Sequence, residues 1–186
     1  MPVFRNVREA EIAADKVLVT VGRRPNTAGI ETLGLTMTGP FIKVDARMRT
    51  SMTGVLAIGD VTGEPMLAHR AMAQAEIAVE TAAGGRAEWD KRAIPAICFT
   101  DPELVTVGLS PAEAGETARA DSFPFKANGR AMMVEREDGF IRVVSRKDNG
   151  LVLGVQAVGA GISEMAAAFA LAIEMGATLQ DIAGTI

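Results

Sequence analysis

Short apolar runs separated by turn residues make up most of the first half of the chain. Residues 16–21 (KVLVTV) are β-branched and apolar and predict a buried strand, and residues 55–58 (VLAI) predict a second. Residues 41–45 (FIKVD) alternate between apolar and polar positions, which is typical of a strand with one exposed face. A short helix is predicted around residues 30–33. This half therefore combines short strands with helical segments.

A long alanine-rich stretch runs from Met66 to Ala83 and predicts the main helix of this half. Pro65 stands at a first-turn position that tolerates proline, and Gly84-Gly85 supplies a stop. The following polar, glycine-containing segment, residues 84–92 (GGRAEWDKR), is the predicted domain boundary.

The second half predicts an antiparallel sheet followed by helices. The predicted strands are residues 94–99, 104–107, 122–127, 139–145 and 151–158. Asp148-Asn149-Gly150 is a strong hairpin signal between the last two. Three helices are predicted in this half. One starts at the capping box of Ser110, one covers residues 163–175 and ends at Gly176, and one starts at Thr178. We expect an α+β domain in this half.

Composition describes a chain that can bury a core and has no strong charge bias. The 186 residues contain 48% hydrophobic residues and carry 19 Lys and Arg against 23 Asp and Glu, a formal charge of −4. The short basic runs lack interleaved aromatic residues, so a nucleic-acid partner is not expected. No run of 18 apolar residues and no signal-peptide pattern occurs, so we expect no membrane partner and a cytoplasmic location.

The scarcity of cysteine and histidine excludes several kinds of chemistry. A single cysteine, Cys98, excludes an internal disulfide framework, a cysteine-rich zinc site and a redox pair within this chain. Cys98 lies in an apolar run, so we expect a buried, unreactive thiol. A single histidine, His69, excludes metal sites with two imidazole ligands, and no metal site is predicted.

Two segments carry candidate ligand-binding groups. Gly59-Asp60 ends the second predicted strand, where an acidic side chain either binds a sugar or polyol hydroxyl or simply caps a turn. Residues 66–69 (MLAH) begin the long helix, whose free N–H groups suit an electron-rich ligand atom, although His69 is equally consistent with a surface residue. A third segment, residues 159–164 (GAGISE), imitates a dinucleotide-binding glycine turn but has Glu164 in place of the third glycine, and we interpret it as a strand-to-helix turn.

Six segments, in this order, resemble the C-terminal part of the pyridine nucleotide-disulfide oxidoreductases. They are VLVTVGRRPNT, FIKVDARMRTS, VLAIGDVTGEPMLAHRAMAQAE, IPAICFTDPELVTVGLSPAEA, FPFKANGRAMM and GFIRVVSRKDNGLVLGVQAVG. The resemblance covers about residues 13–186, and the PMLAH stretch is most similar to the dihydrolipoamide dehydrogenase branch. Mercuric reductase and glutathione reductase are similar over GRRPNT and AIGD but usually differ at that helix start.

The resemblance implies a domain organisation. Residues 1–92 would hold the end of the NAD domain and a partial α/β segment that returns to the FAD domain. Residues 93–186 would be the interface, or dimerisation, domain, truncated at its C-terminus. Residues 1–12 match the family poorly. The resemblance thus describes a fragment of a flavoprotein that passes electrons from dihydrolipoamide to NAD through a Cys pair and FAD.

Site residues follow from the same resemblance. Asp60 would bind the ribityl chain of FAD, Gly59 would allow close approach, and Gly22 would approach NAD. The residues along the flavin would be Met66, Leu67, Ala68 and His69. The family's glycine turns, redox Cys pair and His-Glu base have no counterpart in this sequence, so no catalytic residue is assigned. We expect the isolated chain to be inactive and to bind little or no FAD.

The resemblance also implies partners. Residues 93–186 would form a homodimer, and Phe169 lies on the apolar face of the predicted helix 163–175 through which the copies would meet. The parent protein would meet lipoyl-bearing proteins of 2-oxo acid dehydrogenase complexes. Two alternatives remain open here: a non-catalytic dimerisation or binding module, and a fragment of a related disulfide reductase such as mercuric reductase.

Overall fold

The first part of the structure is built around one long helix. The structure is a computed structural model that describes residues 13–185; residues 1–12 and Ile186 lie outside the described residues. The elements of this part are a 3-10 helix Glu31–Leu33, a hairpin of β1 (Met37–Thr38) and β2 (Phe41–Ile42), a 3-10 turn Gly59–Thr62 and helix α1 (Ala68–Ala82). The predicted short helix near residue 30 and the long helix are both observed.

The two buried strands predicted in this part are not observed. Residues 16–21 are coil, and Val17, Leu18, Val19 and Val21 are 71–93% exposed. A strand needs a neighbouring strand to pair its N–H and C=O groups, and no described strand lies beside this run. Residues 55–58 form only an isolated bridge, between Leu56 and Arg49, for the same reason. The predicted strand 41–45 shortens to its first two residues.

The second part contains a five-stranded antiparallel sheet. Its strands are β3 (Ala96–Cys98), β4 (Glu103–Gly108), β5 (Ala118–Pro124), β6 (Phe140–Arg146) and β7 (Val152–Gly159), in the order β3-β4-β7-β6-β5. The hairpin predicted at Asp148-Asn149-Gly150 joins β6 to β7, and Gly150 adopts a φ of +73° there. The structure is therefore of mixed helix and antiparallel sheet, as the α+β prediction required.

Short helices connect and cover this sheet. They are α2 (Pro111–Ala114), α3 (Gly129–Met133), α4 (Ala166–Glu174) and α5 (Leu179–Gly184), with 3-10 turns at Gly115–Thr117, Phe125–Ala127 and Ile162–Met165. The capping box predicted at Ser110 is formed, and the helix predicted to start at Thr178 begins with a capping box as well. Among the described residues, none of the helices has the length and hydropathy needed to cross a bilayer.

The main hydrophobic core lies between this sheet and α4. It contains the buried residues Val105, Val107, Val143, Val155, Ala157, Ile162, Ala166, Phe169 and Ile173. Phe169 therefore packs inside its own domain, and its prediction as a contact to a second copy is wrong. The physical reason is that α4 turns its Ala166–Phe169–Ile173 stripe toward the sheet, while Leu171 and Met175 face outward.

Cys98 also departs from the prediction, because it is exposed. It is the last residue of β3, and β3 is an edge strand that pairs on one side only. An apolar neighbourhood in the sequence therefore does not bury this thiol, since no element within residues 13–185 covers it.

Candidate functional site

The turn at Gly59–Thr62 lies directly against helix α1. Gly59 is buried and adopts a φ of +76°, which residues with a side chain rarely adopt. A Cβ atom at this position would also come within 3.3 Å of the Cβ atom of Ala71. Both the backbone conformation and the closeness of α1 therefore require glycine here.

The Arg70 side chain is hydrogen-bonded to carbonyl oxygens of this turn. Its buried guanidinium donates hydrogen bonds to the carbonyl oxygens of Gly63 (2.8 Å) and Gly59 (3.3 Å) and to the Thr62 hydroxyl (3.2 Å). Burial lowers the pKa of Arg70, and the attraction of the carboxylates of Asp60 and Glu64 opposes that shift. The cation is thus placed beneath the turn, next to two acidic side chains.

Gln74, one helical turn after Arg70, is hydrogen-bonded to a backbone N–H group of the same turn. Its buried Oε1 atom accepts a hydrogen bond from the backbone N–H of Gly59 at 2.7 Å. The Thr62 hydroxyl donates to the Gly59 carbonyl oxygen at 2.8 Å, which closes the network inside the turn. Side chains from α1 therefore satisfy both backbone groups of Gly59.

Asp60 presents a carboxylate from this turn. The residue is half-buried, and no described residue donates a hydrogen bond to its side-chain oxygens. A carboxylate without a protein partner accepts hydrogen bonds from hydroxyl groups. The Asp60 carboxylate is therefore available to accept hydrogen bonds.

The start of α1 offers backbone donors beside the turn. The N-cap residue Leu67 makes no side-chain cap, and the first N–H with a helical acceptor is that of Ala71, to Leu67. The N–H groups of the exposed Ala68 and His69 thus have no helical acceptor. Those of Met66 and Leu67 are already used, by Glu64 Oε2 at 3.1 Å and the Pro65 carbonyl at 3.0 Å.

The structure brings six of the seven predicted site residues together. Gly59 and Asp60 lie in the turn, and Met66, Leu67, Ala68 and His69 lie at the start of α1. Gly22 lies apart, in exposed coil with no atom within 4 Å of an added Cβ atom. The sequence analysis missed Arg70 and Gln74; their spacing of four residues places them on one face of the predicted helix, but only the fold shows that this face lies against the 59–63 turn.

The turn at residues 159–164 has a structural explanation. Gly161 adopts a left-handed φ of +71°, and a Cβ atom at Gly159 would overlap the ring of Phe125. The backbone N–H of Ser163, at the start of the following helical turn, already donates to the Glu103 carboxylate at 2.9 Å. This segment therefore serves as a strand-to-helix connection, as expected. No group of three metal-ligating side chains occurs within residues 13–185.

Two family models match the chain. The dimerisation domain of the pyridine nucleotide-disulphide oxidoreductases matches residues 94–186, and the pyridine nucleotide-disulphide oxidoreductase model matches residues 5–75. The match to the dimerisation domain covers half of the chain.

Curated relatives agree with these models. A dihydrolipoyl dehydrogenase of Pseudomonas aeruginosa is 59% identical over 183 aligned positions, in an alignment that covers 96% of this chain and 39% of the relative. A dihydrolipoyl dehydrogenase of Bacillus subtilis is 46% identical over 184 aligned positions, with the same coverage of 96% of this chain and 39% of the relative. The chain thus spans well under half the length of the relatives it matches.

Solved structures share the fold. LpdA from Mycobacterium tuberculosis superposes with a TM-score of 0.78 at 34% identity, over 90% of this chain and 38% of that chain. The HOCl-induced flavoprotein disulfide reductase RclA from Escherichia coli, in its Cu(II) complex, superposes with a TM-score of 0.83 over 95% of this chain and 43% of that chain. At 24% identity, the second likeness shows the fold alone.

Proposed function

The chain belongs to the pyridine nucleotide-disulphide oxidoreductase family, and from that premise we propose that it provides one wall of the FAD site and the dimerisation domain of a dihydrolipoyl dehydrogenase. The observation that carries the proposal is the placement of the unpartnered Asp60 carboxylate beside the uncapped start of α1. The 59% identity to the Pseudomonas aeruginosa relative favours dihydrolipoamide, rather than another disulfide or dithiol, as the substrate of the whole protein.

The residues present fit FAD. The Asp60 carboxylate would accept a hydrogen bond from a ribityl hydroxyl, and Gly59, which has no Cβ, keeps the turn close to α1. The N–H groups of Ala68 and His69 would donate to electron-rich atoms of the flavin ring. Met66 and Leu67, whose N–H groups are already used, would contribute packing instead. FAD, when bound, supplies the electron transfer between a thiol–disulfide couple and NAD.

The role proposed for this chain is to bind and orient, not to transfer protons. Cys98 is its only thiol, so a dithiol cannot form within it. In the only imidazole, that of His69, the Nε2 atom lies 2.8 Å from the carbonyl oxygen of Pro95 and is occupied by that contact. We propose that the chain alone binds FAD weakly and turns over no dihydrolipoamide, because the remaining walls of the cofactor site and the redox groups come from outside these residues.

The second part of the chain is proposed to form a homodimer. The boundary we place at residues 92/93 is supported by the family match that begins at residue 94. It is also supported by Glu174, whose Oε1 atom accepts hydrogen bonds from the N–H groups of Arg92 (2.8 Å) and Ala93 (2.9 Å), just before the first strand of the sheet.

Further partners are proposed for the whole enzyme. They are the lipoyl-bearing proteins of 2-oxo acid dehydrogenase complexes. Gly22 remains proposed to approach NAD.

A hybrid enzyme tests the proposal. This chain replaces the 183 aligned residues of the Pseudomonas aeruginosa relative, and FAD content and NAD-dependent oxidation of dihydrolipoamide are measured. We expect a flavin-containing, active hybrid. Asp60→Ala should lose FAD on dialysis, whereas Asp121→Ala, which removes an exposed ion pair with Arg119, should retain it.

Two results would overturn the proposal. One is a hybrid that folds, by circular dichroism, but contains no FAD. The other is an Asp60→Ala hybrid that holds FAD as tightly as the unsubstituted hybrid.

A further inference from the structure

Helix α1 buries polar side chains where a helix usually buries apolar ones. Arg70 and Gln74 are only 8% and 3% exposed, whereas Met72 and Val79 on the same helix are 67% and 69% exposed. Burying a guanidinium and an amide carries a desolvation cost that only good hydrogen bonds offset. The two buried side chains must therefore have good hydrogen-bond partners, and these partners show which part of the protein the side chains hold in place.

All described hydrogen bonds of these two side chains converge on the turn that carries Asp60. Gln74 accepts the N–H of Gly59, and Arg70 donates to the carbonyl oxygens of Gly59 and Gly63. Gly59 immediately precedes Asp60, and Gly63 follows it by three positions. Both are thus hydrogen-bonded to the same helix. Asp60 itself receives no hydrogen bond from α1, so its carboxylate stays available.

The glycines explain why such anchoring is needed. Gly59 and Gly63 adopt φ angles of +76° and +138°, so the turn contains two residues with wide conformational freedom. Without external hydrogen bonds, the peptide planes on both sides of Asp60 would be free to rotate, and the carboxylate direction would rotate with them. A satisfied polar network selects one arrangement of such a turn.

We propose that Arg70 and Gln74 are positioning residues that hold the 59–63 turn from both sides and thereby set the direction of the Asp60 carboxylate toward a polyol hydroxyl. The inference rests on the proposed function, because Asp60 is taken to bind the ribityl chain of FAD. It adds two residues that act on the cofactor only through Asp60.

A double-mutant cycle on the hybrid enzyme tests this, with the dissociation constant of FAD as the readout. Asp60→Ala should weaken FAD binding about tenfold, the effect of losing one hydrogen bond to a charged group. Arg70→Met, which keeps an unbranched side chain but removes its hydrogen-bond donors, should weaken binding by a similar factor. Because Arg70 acts through Asp60, the double variant should bind FAD no more than about twofold more weakly than Asp60→Ala alone.

A second pair of variants keeps the test decisive if Arg70→Met does not fold. Gln74→Leu and Gln74→Glu have similar size, but only Glu retains an oxygen to accept the Gly59 N–H. We expect Gln74→Leu to weaken FAD binding about tenfold and Gln74→Glu to stay within about threefold of the unsubstituted hybrid.

The outcomes separate the two proposals. An unsubstituted hybrid without FAD, or one in which Asp60→Ala leaves FAD affinity unchanged, overturns the proposed function. If Asp60→Ala weakens FAD binding while Arg70→Met and Gln74→Leu do not, only the positioning role is overturned. Fully additive losses in the double variant also overturn it, because they would mean that Arg70 acts independently of Asp60.

Discussion

The Nε2 atom of His69 lies 2.8 Å from the carbonyl oxygen of Pro95, which joins the start of α1 to the segment that enters the sheet. A carbonyl oxygen only accepts hydrogen bonds, so Nε2 carries the proton in this contact. The candidate FAD wall and the dimerisation domain are therefore connected through a residue of the site itself.

Removing this contact should loosen the connection. We expect His69→Ala to lower the free energy of unfolding by about 1 kcal/mol or less, since the lost hydrogen bond is exposed. His69→Gln, which keeps an N–H donor, should lose less. Urea unfolding followed by the fluorescence of Trp89, the only tryptophan, measures both. Equal losses for the two variants would contradict the assigned donor role.

Glu174 should matter more than other surface acids. Its carboxylate accepts two backbone N–H groups, and one of them belongs to the buried Ala93. Glu174→Ala leaves both donors without this acceptor, so we expect a loss of about 1–3 kcal/mol in urea unfolding. The matched control Glu137→Ala, which removes no described hydrogen bond, should stay within about 0.5 kcal/mol of the original chain. Similar losses for both would show that the two hydrogen bonds to Glu174 contribute nothing to stability.

Gly154 should tolerate no side chain. It lies in the central strand β7, and a Cβ atom there would overlap the backbone oxygen of Leu109. We expect Gly154→Ala to destabilise the sheet by at least about 2 kcal/mol, because backbone cannot move aside as a side chain can. Gly129→Ala, at a position with nothing within 4 Å, is the control. Thermal unfolding by circular dichroism compares them, and a near-unchanged Gly154→Ala would contradict the packing.

The end of the chain should show an acid-dependent loss of stability. Hydrogen bonds from the Thr178 side chain and backbone N–H hold the pKa of Asp181 below its usual value of 3.8. A carboxyl whose pKa is lower in the folded state stabilises the fold above pH 3.8, and the contribution is lost as pH falls through the lowered pKa.

Carbon-detected NMR titration checks this directly. Thr178→Val removes the hydroxyl donor, so the pKa of Asp181 should rise toward 3.8. Asp181→Asn should flatten the pH dependence of α5 stability in the acid range. A titration of Asp181 that is the same with and without the Thr178 hydroxyl would rule out the capping box as the cause.

The homodimer should depend on the outer face of α4. Leu171 is 61% exposed on this helix, whereas Phe169 is 7% exposed and belongs to the core. In sedimentation velocity over a tenfold dilution, we expect Leu171→Asp to raise the dimer dissociation constant at least about tenfold while circular dichroism stays unchanged. Met72→Asp, on the exposed face of α1, is the control and should leave the dimer intact. A single species near 19.5 kDa for the original chain would refute the dimer.

Local structure in this protein follows from its sequence because the interactions that determine it span few residues. The hairpin at Asp148-Asn149-Gly150 and the capping boxes at Ser110 and Thr178 each depend on groups within three positions of one another. Helix α1 follows likewise from a long run of alanine and other helix-forming residues. The family resemblance, carried by segments of this kind, predicted Gly59, Asp60 and residues 66–69 as site residues but did not include Arg70 or Gln74.

Burial is what only the tertiary structure decided, because it depends on elements far apart in the sequence. The apolar run 16–21 is exposed where no described strand lies beside it, and Cys98 is exposed at the edge of the sheet. Phe169 faces inward because the sheet lies under that side of α4. Arg70 and Gln74 are buried because the 59–63 turn, with its unpaired backbone groups, folds over their side of α1. Hydrophobic pattern alone would have placed those two polar side chains in solvent.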